Sequence, residues 1–309
     1  MELDRRSKRG GDTVFLGVYG SFRLHPWLES ESTTQSISDD PDETFTETYR
    51  GFAVRPELTG RGAEDISEED AYSVFMARST SMMWAGDNPP QTKLWGMNDA
   101  NVEWSPGSSG QVAWFQVVAL NKSKRRRRLP VQPIVACARD TLGRFGELTL
   151  TGTQMLLPME LASDQYYLTS GLNWFELSDP AARLPIRITL DGGSDDDVQR
   201  KAADVFAMLQ KINSGPFAFH SYSTDKTQGV RLDPPVVGDL WLGRGRHPVA
   251  VEATAPEWNL DATSWVTELC AEACRQVGID TTVLVSVTNK PRRKADNHKT
   301  TDSLAGRTA

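Results

Sequence analysis

The chain has 309 residues, 34 of them Lys or Arg and 41 Asp or Glu, for a net charge of −7. Hydrophobic residues make up 39% and charged residues 24%, a balance that excludes a wholly disordered chain. No apolar run reaches the roughly 18–20 residues that span a bilayer, and no apolar segment suited to secretion follows Met1. Three cysteines (Cys137, Cys270 and Cys274) do not make a closed disulfide framework. The expectation is a soluble, cytoplasmic, acidic protein with no membrane contact.

Residues 1–12 read as a flexible leader, and Val14–Tyr19, rich in β-branched and aromatic residues, as a strand. Glu29 to Glu47 holds seven acids and no base among Ser and Thr, with little to bury, and is expected to be a mobile loop. Ser67 and Asp70 fit a capping box for a helix from about 68 to 79, with Tyr72, Phe75 and Met76 at helical spacing. Short strands are expected at 93–97, 101–104, 111–120, 130–138 and 147–156, split by turn clusters. They suggest a β-rich first domain over 13–178: an antiparallel sheet, a sandwich or a barrel.

The second half alternates more cleanly. Ile186, Ile188 and Leu190 form one face of a strand, and a helix carrying Val198, Ala202, Val205, Phe206, Leu209 and Ile212 follows, with Ser194–Asp197 as its cap. Strands are expected at 217–223, 249–254 and 281–288, a short one at 236–242, and a second helix capped by Asp261 and closed by Gly278. The order β-α-β-β-α-β over 185–290 is the split βαβ, or ferredoxin-like, arrangement. The whole chain is therefore expected to be α+β, divided near 178–185 where two prolines interrupt the pattern. Residues 291–309 read as a disordered basic tail. It contributes +3, so the rest of the chain carries −10.

Catalytic and metal motifs are sparse. No Gly-x-Ser-x-Gly elbow, phosphate-cradling glycine loop or paired Cys-x-x-Cys is present. Cys270 and Cys274 fit helix packing, and Asp195, Asp196 and Asp197 fit helix capping without calcium. No cofactor and no metal are expected. His220 and Tyr222, on one strand, with Arg244, Arg246 and His247 from the glycine-rich loop, form the one candidate pocket. Lys122, Lys124, Arg125, Arg126, Arg127 and Arg128 place six positive charges within seven residues between two expected strands. This run reads first as a solvated loop, as charge runs usually are; it also suits an acidic protein surface and, less well, nucleic acid, because the acidic body would repel a polyanion elsewhere. Four tryptophans (Trp84, Trp95, Trp104 and Trp114) suit either a core or an interface. The leading expectation is a non-catalytic protein-binding module of immunity, scaffold or regulatory type. An enzyme using His220 and Tyr222, and a nucleic-acid-associated protein using Lys122–Arg128, are the alternatives.

Overall fold

The computed structural model describes residues 12–26, 28–36, 46–54, 71–86, 93–102, 110–120, 129–162, 172–179, 181–212, 215–230 and 232–289. The leader before residue 12, the capping box at 67–70, Trp104, the run 122–128 and the tail beyond 289 lie outside the described residues.

In the first half, alternation puts Val14, Leu16 and Val18 of β1 (Thr13–Leu24) in the core beneath the helices, while Phe15 and Tyr19 are also buried, on the other face. After α1 (Ala71–Ser81) come β4 (Trp95–Val102), β5 (Gly110–Ala119), α2 (Val131–Phe145) and β6 (Gly146–Pro158). The second half holds β7 (Leu184–Asp191), the short α3 (Asp197–Arg200), α4 (Ala202–Ile212) and β8 (Ala218–Ser223). A single-turn α5 (Asp239–Leu242), β9 (Pro248–Ala255), α6 (Leu260–Gln276) and β10 (Thr282–Asn289) complete it. One antiparallel sheet takes in all eight strands in the order β4-β5-β1-β6-β10-β7-β9-β8, so the molecule is a mixed α+β protein. Apart from this sheet, β2 (Leu28–Ser36) pairs antiparallel with β3 (Thr46–Val54).

The same plan occurs twice. Each half runs strand, helix, strand, strand, helix, strand, and in each the first and third strands lie side by side between the second and the fourth. The last strands of the two halves, β6 and β10, pair with each other from Thr282↔Pro158 to Thr288↔Gly152. The helices form one layer on one face, with α1 on α2, α2 on α6 and α6 on α4. Beneath them lies a continuous apolar core that includes Phe75, Phe115, Leu142, Ile188, Leu209 and Leu269.

Several expectations need correction. Residues 130–138 are not a strand: they open α2, which buries Val131, Ile134, Val135, Ala138, Leu142 and Phe145 at helical spacing. Pro130 and Pro133 are tolerated because the first turn has no intrahelical use for their missing N–H groups. The expected strands at 93–97 and 101–104 meet in one strand, β4 over Trp95–Val102, which carries an irregularity between Met97 and Asp99; residues 103–104 lie outside the described residues. Residues 29–36 and 46–47 belong to β2 and β3 rather than to a mobile loop, their backbones paired in a nine-pair ladder, while 37–45 lie outside the described residues. Residues 236–242 end in α5 rather than forming a strand. Asn259, not Asp261, caps α6 by accepting from Ala262 N at 2.8 Å. Asp261 instead takes a two-pronged contact from Arg139 Nη1 (2.7 and 2.8 Å), which ties α6 to α2. The expected helix over 198–212 is interrupted at Lys201, whose Nζ donates to Gly278 O at 2.9 Å. Gly278 ends α6 with φ +74°, as its type allows.

Candidate functional site

The pocket expected from sequence is not drawn together by direct contacts. A register shift between Phe219 and Ser221 makes His220 the extra residue of a β-bulge on the edge strand β8. The bulge cancels the period-2 argument. Tyr222 therefore sets its ring against Phe206 of α4, with centroids 5.2 Å apart, although both Tyr222 and His220 remain exposed. No hydrogen bond, ion pair or ring contact joins either residue to Arg244, Arg246 or His247.

The glycine-rich loop has a packing role. Asp191 Oδ1 accepts from Gly193 N (2.8 Å) and His247 N (3.2 Å), and Leu242 O accepts from Ser194 N (2.7 Å). A Cβ on Gly245 would stand 3.1 Å from Ser194 Cα, so the glycine serves close approach rather than a phosphate cradle. His247 Nδ1–H donates to Gln199 Oε1 at 3.2 Å, Arg246 reaches Asp239 at 3.3 Å, and Arg244 is exposed.

The carboxylates of Asp195, Asp196 and Asp197 lie within 4.8 Å of one another. Arg200 pairs with Asp196 at 2.8 Å and also with Asp197, and Lys201 stands 3.8 Å from Asp197. Two cations from the following turn thus answer this acidic cluster. The hydrogen bond from Arg200 is the main reason the Asp196 carboxyl sits below its ordinary range.

The three cysteines are buried and unpaired. Burial pushes the Cys137 and Cys274 thiols up to about 12 and Cys270 well above the ordinary range. A thiolate nucleophile is not available from any of them at neutral pH. Folded protein at pH 8 is expected to resist a thiol-specific reagent until denaturant is added. A raised thiol pKa stabilises the fold fully below the unfolded value near 9, and that contribution is lost as pH rises toward 12. Denaturation midpoints measured from pH 8.5 upward should fall accordingly. Rapid labelling of native protein would contradict the burial.

Sequence patterns do not reveal the most exposed apolar feature among the described residues. A 3-10 turn, Leu172–Leu177, drives Phe175 into the core, its ring 5.2 Å from Phe217 and 6.2 Å from Trp265. Its neighbours point outward: Trp174 is 65% exposed and Leu177 98% exposed. Exposed Glu176 and Asp179 flank them. The available signal was three apolar residues, Trp174, Phe175 and Leu177, at positions that fit neither a helix nor a strand period. Trp84 and Trp95, in contrast, are core groups, packed on each other (5.8 Å) and, for Trp95, on Phe75 (6.4 Å). Among the described residues no helix is long and apolar enough to cross a membrane. No protein-family model, curated protein or solved structure matches the chain.

Proposed function

We propose that this chain is a non-catalytic protein-binding module of immunity, scaffold or regulatory type, built from two ferredoxin-like units that share one sheet. It acts through protein–protein contact in a reducing, intracellular setting, which the three buried free thiols suit. One observation carries the reading: Trp174 and Leu177 are held out to solvent by a turn whose central residue, Phe175, is anchored in the core. Burying a Leu side chain is worth about 1.5–3 kcal/mol, and aromatic anchors dominate the energetics of protein interfaces. A rigidly mounted pair of this kind loses little further entropy when a partner covers it. The acidic flanks, Glu176 and Asp179, suit a partner with basic residues around an apolar socket.

The test is a photo-crosslinking residue at position 177 in living cells, with position 228 as an exposed control. A discrete protein adduct at 177, weakened at least tenfold by Trp174→Ala, is expected. Trp174→Ala should leave the denaturation midpoint within about 0.5 kcal/mol of the parent, since the ring is largely exposed. Identical adduct patterns at 177 and 228 would remove the support for this surface.

A further inference from the structure

The face of the sheet opposite the helices is covered by the chain itself. The connection from β8 to β9, described over residues 224–230 and 232–247, leaves the edge of the second half and crosses β7, β10 and β6. It reaches β1 in the first half before returning to Pro248. The contacts along this strap have an unusual form. Its backbone is met by side chains of the sheet rather than by another strand's backbone. Thr189 Oγ1 accepts from Val230 N at 2.9 Å, and Gln154 Oε1 accepts from Val236 N at 2.9 Å. The Tyr19 hydroxyl lies 2.7 Å from Pro234 O and 2.9 Å from Gln154 Oε1. Behind these groups Gln154 Nε2 donates to Ser286 Oγ (3.1 Å) and Gln111 Nε2 to the Tyr19 hydroxyl (3.3 Å). Tyr19, Gln154, Thr189 and Ser286 are all at most 5% exposed.

Side-chain shape is matched as well. A Cβ on Gly17 would stand 2.9 Å from Val236 Cβ, and one on Gly152 would stand 3.1 Å from Leu232 Cδ1. Each glycine leaves a recess for one strap residue. Beyond them Phe15, Leu156 and Leu284 enclose Val237 and Leu242, and Trp241 sets its edge on Phe15 with centroids 4.8 Å apart. Groups that satisfy main-chain N–H and C=O, beside recesses for particular side chains, are the means by which proteins recognise extended peptides. The β-α-β-β-α-β plan does not require this segment: in the first half the equivalent connection, from β4 to β5, is only residues 103–109.

We propose that this face is a peptide-binding groove, occupied in cis by the strap, that accepts an extended segment of another protein when the strap lifts. The segment it selects carries branched apolar residues at two positions four apart, as in Leu232 and Val236, and an aromatic residue five further on, as in Trp241. The strap opens as a unit below the global unfolding limit. Asp233, Pro234, Pro235, Gly238, Asp239 and Leu240 are exposed, and no strand ladder holds the described residues of the segment. In cis it competes at the high effective concentration of a tethered ligand, so free peptide does not displace it at micromolar levels. The groove lies on the opposite side of the sheet from the helix layer and is independent of the Trp174–Leu177 surface.

The probe is a fluorescein-labelled peptide of residues 229–243, followed by anisotropy. The receptor is a variant in which residues 227–246 are replaced by four glycines; Ser223 already pairs with Ala250, so a short loop closes the strands. Saturable binding to the folded variant, absent from the intact chain and weakened at least tenfold by Gly17→Val, is the expected result. A folded variant that does not bind overturns the proposal. Should the variant fail to fold, hydrogen exchange on the intact chain decides. Val230 and Val236 amides exchanging at least a hundredfold faster than β6 and β10 amides support a separately opening strap, and exchange at the same rate refutes it.

Discussion

Gly193→Ala is expected to lower stability by about 2–4 kcal/mol, read as a shift in the guanidinium midpoint with little change in slope. Two costs combine at this position. The backbone has φ +66°, where an alanine costs about 1–2 kcal/mol relative to glycine. The added Cβ would also stand 2.0 Å from Leu242 O, so the carbonyl must move. That same oxygen accepts from Ser194 N at 2.7 Å, which means relief of the clash strips a partner from the turn after β7. Gly143→Ala is the control. It sits exposed in α2 with nothing within 4 Å of its Cβ, and alanine there should raise stability by about 0.5–1 kcal/mol. Equal effects at the two positions would show that the turn tolerates displacement of the strap's end.

Gln154→Leu is the second large effect, expected at about 2–5 kcal/mol of lost stability. Leucine keeps much of the volume but removes an acceptor for Val236 N and Tyr19 and a donor to Ser286. Buried polar groups left without partners cost about 1–3 kcal/mol each. The loss should be coupled to Tyr19. In a double-mutant cycle with Tyr19→Phe, the combined variant should lose less than the two single losses together, because the network is broken once. Strict additivity would mean that the two side chains act separately.

Most of the regular structure was legible because it rests on local signals. The alternation of Val14, Leu16 and Val18, or of Ile186, Ile188 and Leu190, identifies strands wherever they end up in the sheet. The apolar stripe through Val198, Ala202, Val205 and Leu209 does the same for a helix. Where local signals conflict, they do not determine the element. Val131, Ile134 and Val135 beside two prolines suggested a strand, although the 3.6-residue repeat continues to Phe145 and is completed only by packing against the sheet and α6. The residues of the candidate pocket are not joined by direct contacts for a related reason. Placing His220 and Tyr222 on one face assumed an unbroken period of two, and a single bulged residue reverses the faces of everything beyond it.

What the sequence by itself determined is the inventory: an α+β chain, the order of the second half's elements, three cysteines without a framework, and an acidic body. Tertiary structure decided that both halves follow one plan and that β6 and β10 join them into a single sheet. It also decided that the connection from β8 to β9 crosses that sheet to reach Phe15, Gly17 and Tyr19. The physical reason is the range of the forces involved. Periodicity, capping and turn preference act over a few residues and leave their mark in the chain. Strand order and the approach of a loop to a distant glycine depend on side-chain fit between segments more than a hundred residues apart, and only the folded molecule brings those segments into contact.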